Sequence, residues 1–81
     1  MQKSLRSEDH KRLIKLLVAA RHKAGLRQHA LAHRLKRPQS FIAKYEGGER
    51  RIDVVEFIAI ADALSLDPVK LFRDFVRHKG L

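Results

Sequence analysis

The sequence predicts an all-α fold of five helices. Apolar residues recur at spacings of three and four along the chain, which is the period of an amphipathic helix. Aromatic and β-branched residues never alternate with polar ones over enough positions to form a strand. With 81 residues and no cysteine, the chain has room for one hydrophobic core and has no disulfide to support it. We therefore expect residues 1–81 to form a single domain.

The first helix is expected over residues 8–24. Ser7 is a candidate N-cap, because its hydroxyl can accept a hydrogen bond from an N–H group of the first turn. Gly25 is expected to end the helix, since glycine readily adopts the left-handed conformation that follows many helices. The stripe that faces the core is predicted to be Leu13, Leu17, Ala20 and Ala24.

Two short helices are expected over residues 28–35 and 39–46, with only three residues between them. Pro38 stops the first of the two, because the residue before a proline avoids the helical conformation. The pattern therefore predicts two short helices that meet at a tight turn.

The fourth and fifth helices are expected over residues 53–64 and 68–78. Asp53 and Glu56 have the spacing of a capping box, in which each side chain accepts a hydrogen bond from the other residue's backbone N–H. Pro68 suits the first position of a helix, where the N–H that proline lacks would have no partner.

The formal net charge of +9 is concentrated in the middle of the chain. Residues 21–51 contain nine basic and two acidic side chains, whereas the rest of the chain is nearly balanced. A positive face favours a polyanionic partner, either nucleic acid or an acidic membrane. Since no stretch has the length and apolarity of a membrane span or a signal peptide, we expect a cytoplasmic protein without a membrane partner.

Residues 27–48 have the pattern of a helix-turn-helix, a unit that places its second helix in the major groove of DNA. Such a pair needs a small residue where its helices cross, and Ala32 is suitable. The residues predicted to point inward are Leu31, Leu35, Ile42 and Tyr45. The outer face of the second helix then presents Gln39, Ser40, Ala43 and Lys44.

On these residues the chain resembles the Cro/cI-like (XRE) helix-turn-helix family of phage repressors and bacterial regulators, over roughly residues 13–72. The matching residues are Arg21, Gly25, Leu26, Gln28, Leu31, Ala32, Gln39, Ile42, Glu46, Gly48, Phe57, Ile60, Ala61, Leu64, Leu71 and Phe72. The resemblance implies a five-helix lambda-repressor-like DNA-binding domain. It also implies a sequence-specific, repressor-like regulator of transcription whose partner is double-stranded DNA.

The resemblance also implies roles for individual residues. Base contacts in the major groove are implied for Gln39, Ser40, Ala43 and Lys44. Contacts to the DNA backbone are implied for Arg27, Gln28, Arg37, Phe41, Arg50 and Arg51. A structural ion pair is implied between Arg21 and Glu46.

Two residues of the turn depart from the family pattern. Lys36 stands where glycine is common, and Pro38 stands where a capping serine or threonine is common. Either Lys36 adopts the left-handed conformation, at a cost on the order of 1 kcal/mol, or the turn opens.

Neither a metal site nor catalysis is expected. His29 and His33 are four residues apart, a spacing that can hold a metal ion, but no HExxH pattern or matching carboxylate accompanies them. We interpret them, like His10, His22 and His78, as surface side chains and expect no cofactor. The sequence also lacks a nucleophile elbow and a glycine-rich phosphate loop, so we do not expect an enzyme.

The last two helices have more apolar residues than one packed face needs, and the surplus leaves alternatives open. It comprises Val54, Val55, Ile58, Ala59, Val69, Phe72, Phe75 and Val76. These residues predict either a symmetric homodimer through both helices or internal packing against the first helix. They also allow a rival function, a protein-interaction module whose basic surface only maintains solubility. An RNA-binding role is less favoured, because RNA readers expose stacking aromatics and most aromatics here are expected to be buried.

Overall fold

The computed structural model describes residues 7–77, and the predicted all-α fold is confirmed over that range. The five helices are α1 (Glu8–Lys23), α2 (Gln28–Leu35), α3 (Gln39–Glu46), α4 (Val54–Ala63) and α5 (Pro68–Arg77). α2 and α3 have the expected bounds, whereas α1 ends one residue early and α4 is shorter by one residue at each end. The end expected for the fifth helix at His78 lies outside the described residues.

The local signals at the helix ends act as expected. Ser7 caps α1 by accepting a hydrogen bond from the backbone N–H of His10 at 3.1 Å. Gly25, just beyond the end of α1, has a φ angle of 75°, which a residue with a Cβ adopts only with strain. Asp53 and Glu56 form the predicted capping box at the start of α4. Each of these signals involves residues at most four positions apart, so the sequence reveals it directly.

The turn between α2 and α3 stays tight. Lys36 adopts the left-handed conformation, with φ 57° and ψ 41°, so the first of the two alternatives is the one observed. The Arg37 N–H then donates to the Ala32 carbonyl at 3.0 Å, the bond of a Schellman-type helix end. Pro38 precedes α3 without any side-chain cap. This turn brings the N-terminus of α3 close to α2.

One hydrophobic cluster joins all five helices. Its buried members are Ile14, Leu17, Leu31, Ala32, Phe41, Ile42, Tyr45, Phe57, Ile60, Ala61, Leu64 and Leu71. The predicted inward residues of the helix-turn-helix are therefore buried, except that Leu35 is only partly so. None of the described helices is long and apolar enough to cross a membrane.

The inner face of α1 differs from the prediction. Its buried residues are His10, Ile14, Leu17 and Arg21, whereas Ala24 is exposed. Arg21 faces the end of α3, and this orientation turns the stripe that includes His10 toward the core. The expectation that His10 lies on the surface is wrong. Burial, and secondarily the charge of Arg51, lower the pKa of His10 below its ordinary value.

Candidate nucleic-acid interface

α3 divides cleanly into an inner and an outer face. The inner face buries Phe41, Ile42 and Tyr45 in the core. The outer face exposes the four residues for which base contacts were expected, Gln39, Ser40, Ala43 and Lys44. Three of them are polar, and the fourth has only a methyl side chain, so this face suits a hydrogen-bonding, hydrated partner.

A buried ion pair braces the C-terminus of α3 against α1. Arg21 donates from Nε to Glu46 Oε2 at 2.8 Å and from Nη2 to Glu46 Oε1 at 3.0 Å. The two side chains are only 8% and 7% exposed. The hydrogen bond to Glu46 raises the pKa of Arg21 above its ordinary value. The ion pair implied by the family resemblance is therefore present.

Two glutamines extend this network to the start of α3. Gln28 donates from Nε2 to Glu46 Oε1 at 2.9 Å, and Gln39 donates from Nε2 to Gln28 Oε1 at 3.3 Å. A continuous chain of hydrogen bonds thus runs from Arg21 through Glu46 and Gln28 to Gln39. Because both amides have defined partners, their orientations are set before any ligand binds. The sequence analysis did not predict this series of hydrogen bonds. Its only signal in the sequence was a glutamine at the first position of both α2 and α3.

Phe41 does not lie where a DNA backbone contact requires it. Its ring is buried and packs edge-on against Tyr45, with 5.4 Å between ring centroids. The guanidinium groups of Arg37 and Arg50 cover it, at 4.1 Å and 4.8 Å from the ring centroid. The predicted contact from Phe41 to a DNA sugar is therefore wrong, because the aromatic ring is needed in the core.

Arg37 and Arg50, on either side of α3, share one carboxylate. Glu56 accepts from Arg50 Nη1 at 3.0 Å and Nη2 at 2.8 Å, and from Arg37 Nη2 at 2.8 Å. The Asp53 N–H donates to the same carboxylate at 2.9 Å. These bonds, that of Arg50 foremost, lower the pKa of Glu56 to about 2. The sequence had indicated only the capping role of Glu56.

The remaining basic residues differ in their surroundings. Arg27 and Arg51 are exposed, as a contact with the DNA backbone requires. Arg34 instead donates to the Ala63 carbonyl at 2.8 Å and so helps to hold the end of α4. His29 and His33 are exposed on α2. Within residues 7–77, no group of three or more His, Asp or Glu side chains could hold a metal ion.

A second surface, formed by α4 and α5, is apolar. A groove of about 390 Å³ lies between the two helices, with Phe57 and Pro68 among the residues that line it. The large apolar side chains left exposed on these helices and beside them are Val54, Val55, Ile58, Leu66, Val69 and Phe72. Most of the apolar surplus is thus not covered by internal packing, and only Phe75 and Val76 are partly buried.

Comparisons with known proteins agree with this geometry. A family model described as a helix-turn-helix domain matches residues 13–72. An XRE-family like protein from Pseudomonas syringae pv. tomato is 41% identical, with a TM-score of 0.82 over 86% of this chain and 85% of that one. The restriction-modification controller protein C.AhdI from Aeromonas hydrophila is 28% identical, with a TM-score of 0.73 over 80% of this chain and 98% of its own.

A third solved structure resembles the chain in fold alone. It is the restriction-modification controller protein C.Esp1396I, as a tetramer in complex with its natural 35 base-pair operator. It is 18% identical and has a TM-score of 0.79 over 88% of this chain and 93% of its own. No curated protein matches the sequence.

Proposed function

Since this chain belongs to the XRE family of helix-turn-helix DNA-binding transcriptional regulators, we propose that it recognises one DNA sequence through the outer face of α3. The observation that carries the proposal is the preset orientation of Gln39 at the start of that helix. The first turn of a recognition helix is the part that reaches the base edges in the major groove.

The orientation of Gln39 favours an adenine. One N–H of its amide is bound to Gln28, which leaves its second N–H and its carbonyl oxygen for a ligand. Adenine offers the complement in the major groove, an acceptor at N7 and a donor at N6. Ser40 can pair with several bases, the methyl group of Ala43 suits a thymine methyl, and Lys44 suits guanine or a phosphate.

Phosphate contacts around α3 supply affinity that does not depend on sequence. Arg27 and Arg51 are exposed for this role, and Gln28 retains its second amide N–H after bonding to Glu46. Arg37 and Arg50 also flank α3, with part of their charge neutralised by Glu56. We assign binding and no catalysis to this surface, and we place the protein in the cytoplasm, where its DNA partner is accessible.

We further propose that two copies of the chain associate through the apolar face of α4 and α5. Exposed valine and phenylalanine side chains on two adjacent helices are costly in water, and a two-fold axis lets the same patch cover itself. Such a dimer would place two recognition helices about 34 Å apart, so the expected target is a pseudo-palindrome. The operator complex of C.Esp1396I, a protein of the same fold, is itself oligomeric.

Selection from randomised duplexes tests this function. The proposal predicts a pseudo-palindromic consensus that contains adenine, and an affinity that falls as salt rises. The variant Lys44→Glu should abolish selection, whereas Lys70→Glu, with the same charge change on α5, should preserve it. Binding without sequence preference would overturn the proposal and would favour a protein-interaction module with a basic surface.

A further inference from the structure

The carboxylate of Glu56 lies at the centre of a small charged cluster next to α3, which we call the Glu56 cluster (Arg37, Phe41, Arg50 and Glu56). Each carboxylate oxygen accepts two hydrogen bonds, Oε1 from Arg50 and the Asp53 N–H, and Oε2 from both arginines. The Glu56 side chain is only 16% exposed. Within the cluster, the single negative charge of Glu56 is therefore shared as the counterion of two arginines.

The position of the cluster relates it to DNA binding. Arg37 belongs to the turn that leads into α3, and Arg50 to the loop that follows α3, so the cluster joins both ends of that helix to the N-terminus of α4. The two arginine side chains remain 41% and 39% exposed. Without Glu56 they would be two exposed positive charges that flank the outer face of α3, where phosphates of a bound duplex would lie.

The arginines do not depend on Glu56 alone for their placement. Both guanidinium groups stack on the Phe41 ring, and Arg50 also donates from Nη1 to the Arg51 carbonyl at 2.6 Å. Loss of the carboxylate charge would therefore release their charge to the surroundings while much of their geometry is retained. A phosphate would then be the natural replacement for the carboxylate, because both bind guanidinium groups in a bidentate manner.

We propose that Glu56 is an internal counterion that withholds Arg37 and Arg50 from DNA phosphates and thereby limits how strongly this protein binds DNA of any sequence. This inference rests on the proposed function. Restrained phosphate affinity leaves a larger share of the binding to base contacts such as those expected from Gln39. Glu56 thus acts on DNA binding through the charges of the two arginines rather than by contacting DNA itself.

The variant Glu56→Gln tests the inference, because glutamine keeps the capping-box acceptor and removes the charge. The affinity for a random-sequence duplex is measured between 50 and 200 mM salt. Since each additional neutralised phosphate steepens the slope of log K against log salt by about 0.9, one or two released arginines should steepen it by about 1 to 2. The variant should then lose roughly 3- to 12-fold more affinity than the wild type across this range.

The matched control is Asp53→Asn, which removes a negative charge from the same helix end and keeps an N-cap residue. The Asp53 carboxylate accepts from the Glu56 N–H and acts on Arg50 through its charge, whereas Glu56 also accepts hydrogen bonds from both arginines, so the effect of Asp53→Asn on the slope should be smaller. Equal changes of the slope in Glu56→Gln and Asp53→Asn would overturn the inference, because the loss of one negative charge would then explain both. An unchanged slope in Glu56→Gln would overturn it as well.

Two further variants separate the release of the arginines from a direct effect of the new side chain at position 56. In a background of Arg37→Gln with Arg50→Gln, the added substitution Glu56→Gln should no longer steepen the slope, and a persistent effect would contradict the inference. Glu56→Ala, which brings no amide that could contact DNA, should steepen the slope as Glu56→Gln does. If the wild type selects a consensus while Glu56→Gln leaves the slope unchanged, only this inference fails. If the wild type binds without sequence preference, the proposed function fails whatever the slope of Glu56→Gln.

Discussion

The outer face of α3 and the exposed face of α4 and α5 are built from opposite chemistry. On α3, the exposed side chains are polar or no larger than a methyl group. On the other face, Val54 and Val55 are 73% and 74% exposed, Val69 is 62% exposed and Phe72 is 54% exposed. The polar groups of one face already form hydrogen bonds with water, so only a ligand with matching hydrogen bonds binds there with a favourable free energy. The apolar face lowers its free energy whenever it is removed from water.

The two faces also differ in what supports them. The chain of hydrogen bonds from Arg21 to Gln39 sets the direction of individual polar groups on α3. At the apolar face, the rings of Phe57, Phe72 and Phe75 meet edge-on or tilted, with 6.2 Å and 6.3 Å between successive ring centroids. Direction matters for reading bases, while covered area matters for association, so each support suits the function proposed for its face.

The largest effect is expected where the support of α3 is removed. Arg21→Ala leaves the carboxylate of Glu46 buried without its partner, which should lower the free energy of unfolding by about 3 to 5 kcal/mol. Urea denaturation measures the change. Lys11→Ala is the control, since it breaks the exposed ion pair with Glu8 and should cost less than about 1 kcal/mol. Similar costs for the two variants would show that the buried pair does not brace α3.

A smaller effect is expected where the apolar face is disrupted. Val55→Glu should remove the free energy gained by burying one valine, about 1.5 kcal/mol, in each of two copies. The dissociation constant of the dimer should then rise about a hundredfold. Analytical ultracentrifugation measures the dissociation constant. Because Val55 is largely exposed in the single chain, the substitution should hardly change the thermal unfolding of the monomer. Val55→Thr has nearly the same shape and should weaken the dimer less. Unchanged association in Val55→Glu would exclude this face as the interface.

Two substitutions on the outer face of α3 test the base-reading role proposed for Gln39 against a phosphate-anchoring role of Lys44. Gln39→Ala should reduce discrimination at one base pair by about 1 to 3 kcal/mol and leave the salt dependence of binding unchanged. If Lys44 contacts a phosphate, Lys44→Gln should lower the salt slope by about 1 and weaken all sequences alike. Shift assays with single-base variants of the selected site measure both. A Gln39→Ala protein with unaltered sequence preference would show that Gln39 does not read a base.

The smallest effect concerns His10, which is buried on the inner face of α1. Its pKa is lowered in the folded protein, first by burial and then by the charge of Arg51, from an ordinary value of 6.5. Below about pH 6.5 the unfolded chain takes up a proton that the folded protein does not. Stability is therefore complete above that pH and is lost as pH falls toward the lowered pKa, by at most about 1.4 kcal/mol per pH unit.

Urea denaturation between pH 5 and 7 tests this dependence. His10→Gln should flatten it, whereas His33→Gln, an exposed position on α2, should preserve it. Glu56 does not interfere, because its pKa is lowered from an ordinary value of 4.5 to about 2 in the folded protein. Its contribution to stability therefore changes only below about pH 4.5. An unaltered dependence in His10→Gln would show that another group is responsible.

Much of the architecture follows from spacings of three and four residues. Caps such as Ser7 and the pair Asp53 and Glu56 act within one helical turn, so they appear in the sequence as they do in the structure. The outer face of α3 was equally predictable, because its buried neighbours define the opposite side. The sequence by itself thus determined the helices, their order and the residues that one helix presents.

Tertiary packing decided the features that join distant parts of the chain. Phe41 could point to DNA or to the core, and His10 to solvent or to the core, until the helices met at defined angles. The Gln28–Gln39 bond and the shared use of Glu56 by Arg37 and Arg50 bring together side chains 6 to 19 positions apart. No periodic pattern encodes such distances, because they depend on how each helix is rotated against its neighbours rather than on spacing within one helix.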